Sequence, residues 1–190
     1  MNWFTSDWHL NHKNILQYDR RPFDTVEEMN ETIIDNINKV VKKEDTLYYL
    51  GDFCFALNGK LDAVYEFRDR ILCDDIRFIL GNHDHIICKN KHLLIAEKWF
   101  TSIDDVYYVN NTKPSVYLSH YAHKVWDKSH HGRYHLYGHS HCTLPDDPAS
   151  LSFDVGINGN NYYPYSFDDV KRIMSKKNYA PVDHHHKGTT

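Results

Sequence analysis

Five short clusters of carboxylate, amide and imidazole side chains recur along this sequence, each directly after a run of apolar, β-favouring residues. They are Asp7-x-His9, Gly51-Asp52, Gly81-Asn82-His83-Asp84, Ser119-His120 and Gly138-His139-Ser140-His141. Residues i and i+2 of an irregular turn can point at one cation, so D-x-H and H-x-H have the local spacing of metal ligands. A single pair of this kind is usually an ordinary surface feature. Five in order, three of them with glycine, point to one shared crevice, because the ends of neighbouring strands converge in an open α/β sheet. Mixed nitrogen and oxygen donors without thiolates suit borderline divalent metals and argue against a structural zinc site.

The clearest positioning element is I-R-F-I-L-G-N-H-D at positions 76–84, a buried strand broken by Gly81 where the chain must turn. Comparable strands are expected at Trp3–Ser6, Thr46–Leu50, Tyr134–Tyr137 and Leu151–Val155, the last of the chain. A hairpin is expected from Val106–Val109 and Ser115–Leu118. Asp24 and Glu27 have capping-box spacing ahead of a helix to about Lys42, whose Val26, Met29, Ile33, Ile37 and Val40 form one apolar stripe. Further helices are expected over Asn14–Tyr18, Lys60–Leu72, Ile86–Phe100 and Ser166–Lys176, with Ser166 as N-cap of the last. Helices alternate with strands and a β-rich half follows, so the expectation is α/β layering in a single domain over 1–183. The tail at 184–190, with His184–His186, reads as a flexible appendage.

The bulk numbers fit an ordinary globular chain: 190 residues, 41% hydrophobic, 25% charged and a net charge of −4. That balance gives no basic field for nucleic acid, and no window has the roughly 18 apolar residues of a membrane span. Four cysteines without a C-x-x-C pair, and an N-terminus without a leader pattern, lead us to expect a cytoplasmic protein. The 15 histidines are the unusual count, since imidazole is the commonest transition-metal ligand.

The ordered set D-x-H, G-D, G-N-H-D, H, G-H-x-H resembles the pattern of the calcineurin-like metallophosphoesterases, and spans Asp7 to His141 without a substitution. The opening F-T-S-D-W-H-L-N-H-K-N-I-L with R-P-F further on is similar to a subgroup of small bacterial and phage members. The resemblance implies a layered αββα sandwich with mixed sheets and flanking helices. It implies two divalent ions (Mn, Fe, Zn, Co or Ni, with Mn the expected ion in vitro). One would be held by Asp7, His9, Asp52 and His141, the other by Asp52, Asn82, His120 and His139, with Asp52 bridging. His120 is chosen over His123 because S-V-Y-L-S-H sets it at a strand end.

The implied chemistry is cleavage of a phosphodiester or phosphomonoester by in-line attack of a hydroxide bridging the metals. Two divalent ions less Asp7, Asp52 and that hydroxide leave about one positive charge for an anionic phosphate. His83 would protonate the leaving oxygen, and Asp84 would orient its imidazole. His12, Arg20 and Arg21 are candidates for substrate phosphate, and His130, His131, Arg133 and His135 read as a polar surface loop. The expected partner is a small phosphoester, with no membrane. The alternatives are a non-catalytic metal-binding scaffold and a nuclease.

Overall fold

The computed structural model describes residues 1–56 and 60–182, so the expected tail at 184–190 lies outside the described residues. In chain order β1 (Asn2–Thr5), β2 (Thr46–Tyr49), β3 (Asp75–Ile79) and β4 (Ser102–Asp104) build one parallel sheet. β5 (Val106–Val109), β6 (Val116–Ser119), β7 (Tyr134–Tyr137) and β8 (Ser152–Asp154) build a second, in which only the β5–β6 pairing is antiparallel. The chain then returns to the first sheet as β9 (Tyr165–Ser166), antiparallel to β1, giving the order β4-β3-β2-β1-β9 beside β5-β6-β7-β8.

Strand alternation sorts the core into two layers. In β2, Leu47 and Tyr49 join a cluster with Ile15 of α1 (Ile15–Tyr18), Met29, Ile33 and Ile37 of α2 (Val26–Val40) and Val64 and Phe67 of α3 (Asp62–Asp69). Tyr48 and Leu50 belong instead to a cluster with Val116, Leu118, Leu136 and Phe153 of the second sheet. The structure is thus a layered α/β sandwich of two mixed sheets flanked by helices, as expected.

Several details differ from the sequence expectation. The N-cap of α2 is Thr25, which accepts the Glu28 N–H at 3.1 Å, while Asp24 donates its own N–H to Glu28 at 2.9 Å. The N-cap therefore sits one residue later than Asp24, with the Glu28 carboxylate on the N–H of the residue before the cap, and the helix ends at Val40. The helix expected over 86–100 is two, α4 (His85–Lys89) and α5 (Lys91–Ala96). They break at Asn90, whose side chain donates to the Ile86 carbonyl at 2.8 Å, a local bond that competes with helix continuation. β4 and β9 were not anticipated, so Leu151–Val155 supplies the last strand of the second sheet and not of the chain. The closing helix α6 (Phe167–Met174) has the expected cap, with Ser166 and Asp169 in a capping box.

Candidate metal centre

All five clusters fall just beyond the carboxyl ends of β1, β2, β3, β6 and β7, and the turns there are unusual. Asp7, His9, Asp52, His139 and His141 have φ between 48° and 66°. This left-handed region is uncommon outside glycine, and Asp and His are among the residues that tolerate it best. Such backbone persists where the surroundings over-determine it, which is common at ligand sites. Glycine makes the approach possible: a Cβ on Gly51, at φ 97°, would stand 2.5 Å from His120 Nδ1 and 2.7 Å from Gly81 Cα.

These turns bring two donor groups together. Asp7, His9, Asp52 and His141 have donor atoms within 4.8 Å of one another, and so do Asp52, His120 and His139. Asn82 joins the second group, its Oδ1 lying 3.0 Å from His120 Nε2 and 2.9 Å from His139 Nδ1. All seven side chains expected to bind metal therefore meet in one place. His123 lies apart, its ring against Tyr117 and His135.

The hydrogen bonds show what these atoms would accept. His120 donates its Nδ1–H to the Leu50 carbonyl at 2.7 Å, which leaves Nε2 as a lone pair facing the Asn82 oxygen. His141 donates Nδ1–H to Asp19 at 2.5 Å, leaving its Nε2 facing His9 Nε2 at 3.2 Å. The His120 Nε2 lone pair and the Asn82 oxygen are both acceptors, and they repel one another unless something positive lies between them. Burial keeps His9 (pushed down to about 2) and His120 neutral, the form in which imidazole binds metal. Burial also drives the Asp7 carboxyl up to about 8, against the pull of His141. A buried carboxylate of this kind needs a cation to stay charged, and the donor set can provide a place for one.

The remaining candidates fall out unevenly. Asp84 is buried, and its two oxygens accept the N–H groups of Gly81, Asp52 and Phe53 at 2.7, 2.8 and 3.0 Å. It clamps the two ligand turns together, so its expected role as the partner of the His83 ring does not match its contacts. His83 itself is exposed on the rim, its ring 5.3 Å from that of His9 and its N–H on Asp52 Oδ1. Arg21 is buried, donating to the Asp7 and Trp8 carbonyls, each at 2.7 Å, and to Asp19. Its donors are spent on the chain, which removes it as a phosphate contact. Arg20 is exposed and outside the lining of the clefts beside the centre, whereas His12 lines both.

His135, expected at the surface, is fully buried between Tyr117, Trp126 and Tyr137, and Arg133 is buried against Asp127 and Ser115. His130 and His131 are exposed as expected. Two further carboxylates support the centre, Asp154 buried and Asp19 half-buried. Asp19 binds His141, Arg21 and Asn158; burial would raise its carboxyl, but the bonds from His141 and Asn158 and the Arg21 charge hold it down at about 2. Asp154 accepts the Cys142 and Gly156 N–H groups and so fixes the turn after His141.

Two clefts open from the centre. One, of about 650 Å³, runs past Tyr18 and Leu144; the other, of about 380 Å³, runs past Phe55, Ile86 and Lys89. His9, His12 and His83 line both. Among the described residues no helix is long and apolar enough to cross a membrane.

Fold and centre together define a two-sheet α/β protein with a buried Asp/His/Asn cluster able to hold metal ions. No protein-family model matches the chain. The uncharacterized protein MJ1445 of Methanocaldococcus jannaschii is 33% identical over 176 residues, which cover 90% of this chain and 89% of its own. The Gene 66 protein of Mycobacterium phage L5 is 30% identical over 164 residues, covering 75% and 78%. The chain belongs to the family of these two proteins. The protein of unknown function AQ665 from Aquifex aeolicus shares its fold, with a TM-score of 0.70 and 24% identity over 91% of this chain and 98% of that one.

Proposed function

We propose that this chain is a calcineurin-like metallophosphoesterase, a dinuclear metal-dependent phosphohydrolase. The observation that carries this reading is the place of Asp52. Its Oδ2 lies 3.5 Å from His9 Nε2 and 3.6 Å from His120 Nε2, so one carboxylate faces both donor groups.

Two divalent cations, with Mn²⁺ the expected ion in vitro, supply when bound a Lewis acid for a phosphoryl oxygen and a water acidic enough to attack near neutral pH. The chain does the rest. Asp7, His9, Asp52 and His141 hold one cation, and Asp52, Asn82, His120 and His139 hold the other. Asp19 and the Leu50 carbonyl fix His141 and His120 in the tautomer that leaves Nε2 free. His83, exposed beside His9, is placed to give a proton to the leaving oxygen of a phosphoester lying over the centre.

Metal analysis of protein refolded with Mn²⁺ tests the reading, with about two ions per chain expected for a paired site. Asp52→Ala should lose most of both. Full occupancy in that variant would overturn the shared carboxylate. No turnover of either bis(4-nitrophenyl) phosphate or 4-nitrophenyl phosphate by the two-metal protein would favour a metal-binding scaffold.

A further inference from the structure

The two clefts meet at His9, His12 and His83 and leave the centre by different walls. A phosphomonoester has one organic group and needs room on one side of the phosphorus only. A diester has two, one leaving and one retained. Apolar surface lies along both walls. Tyr18 and Leu144, 71% and 46% exposed, border the larger cleft, and Phe55, 46% exposed, borders the smaller. Large apolar side chains left in water around a concave site mark a place where a ligand covers them. Phe55 is more specific still. Its ring stacks on that of His12, with centroids 5.1 Å apart and planes at 14°, a flat platform next to His83.

Charge points the same way. A monoester is close to a dianion at neutral pH, and sites for it bring side-chain cations to its extra oxygen charge. Among the described residues lining the two clefts, Lys89 alone is a Lys or Arg. Of the two guanidinium groups nearest in sequence, Arg20 lies outside both linings and Arg21 is bound to main-chain carbonyls and to Asp19. The centre is therefore better matched to the single charge of a diester.

We propose that the site takes a phosphodiester whose two organic groups occupy the two clefts, with a flat unsaturated ring on Phe55. This rests on the phosphohydrolase reading above. Phe55 sets specificity by covering one face of that ring, a contact worth about two- to tenfold in affinity. A nucleobase and a simple aryl group share this chemistry.

Non-hydrolysable probes separate the proposal from catalysis. Diphenylphosphinate is a monoanion with a ring on each side of phosphorus, and phenylphosphonate has one ring and a second charge. Calorimetric titration of the Mn²⁺-loaded protein should show the phosphinate tighter by about tenfold, the one further ring in the second cleft outweighing the lost charge. Phe55→Ala should weaken the phosphinate about fivefold, and Phe55→Tyr should keep its affinity. Leu144→Ala should also weaken it, since both clefts are filled. Methylphenylphosphinate, with one ring replaced by a methyl group, should lose most of the advantage. Comparing thymidine 3′-(4-nitrophenyl phosphate), which has no neighbouring 2′-hydroxyl to cyclise, with methyl 4-nitrophenyl phosphate then separates nucleobase from aryl: a lower KM for the former that Phe55→Ala abolishes identifies a base on the ring.

Tighter phosphonate than phosphinate binding in protein carrying two ions would overturn the diester assignment and leave the dinuclear reading standing. Binding that Phe55→Ala and Leu144→Ala leave unchanged would overturn the placement of the two groups. Protein that holds no metal would fail earlier, at the centre itself.

Discussion

Asp19 accepts a hydrogen bond from His141 Nδ1 at 2.5 Å, and the same carboxylate oxygen is held by Arg21 and Asn158. Carboxylate, imidazole and donor cluster thus form a line in which the outer residue sets the orientation of the inner one. Removing such an outer partner commonly weakens metal binding about 10- to 100-fold. Asp19→Asn keeps the shape and loses the charge, and should show this loss in a competitive Mn²⁺ titration. Wild-type affinity in that variant would remove Asp19 from the centre.

Arg21 has no exposed side-chain surface and donates to two carbonyls and a carboxylate. Arg21→Met leaves the Asp7 and Trp8 carbonyls without their donor and takes the guanidinium from Asp19, so urea denaturation should show a loss of about 3 kcal/mol. Arg21→Lys should recover little, because an ammonium cannot reproduce the fork that reaches three acceptors. A stability change near zero for both variants would contradict this.

His83 touches the donor group through its backbone N–H, while its ring stands on the rim. His83→Asn should therefore keep both metals and lose about 10²- to 10⁴-fold in kcat. The loss should be smaller for esters whose leaving group is a weak base, since these need less protonation. Equal losses for good and poor leaving groups would count against a proton-donor role.

His135 is buried, which presses its pKa down to about 3. In the unfolded chain it titrates near 6.5. A lowered pKa means that the unfolded chain binds the proton first. The folded protein is favoured above about pH 6.5 and loses up to about 1.4 kcal/mol per pH unit as the pH falls toward 3. Chelator-treated protein should show this slope in denaturant midpoints, and His135→Gln should flatten it. Parallel slopes would mean that other groups govern acid stability.

The seven donors were legible in the sequence because each follows an apolar strand, and the strand and its turn form one local pattern. Glycine marked three of those turns for a steric reason visible at Gly51, where any side chain would collide with His120. The supporting residues had no such signal. Arg21 reaches carbonyls 13 and 14 residues away and Asp19 an imidazole 122 residues away, so no periodicity or spacing registers either contact. His135 looked like part of a polar loop, yet in Y-H-L-Y it occupies an inward position of β7 among aromatic rings. β4 and β9, three and two residues long, are too short to show an alternation. Tertiary pairing alone makes them strands.

The donor residues come from both layers of the sandwich: Asp7, His9, Asp52 and Asn82 follow strands of the first sheet, and His120, His139 and His141 follow strands of the second. A cation bound by this set acts as a removable rivet between the sheets. Neither sheet supplies all seven donors, so a site built from the full set would form only once the two layers have docked. Stripping the ions should then loosen the seam between them first, seen as faster amide exchange at the ends of β6 and β7 while α2 stays protected.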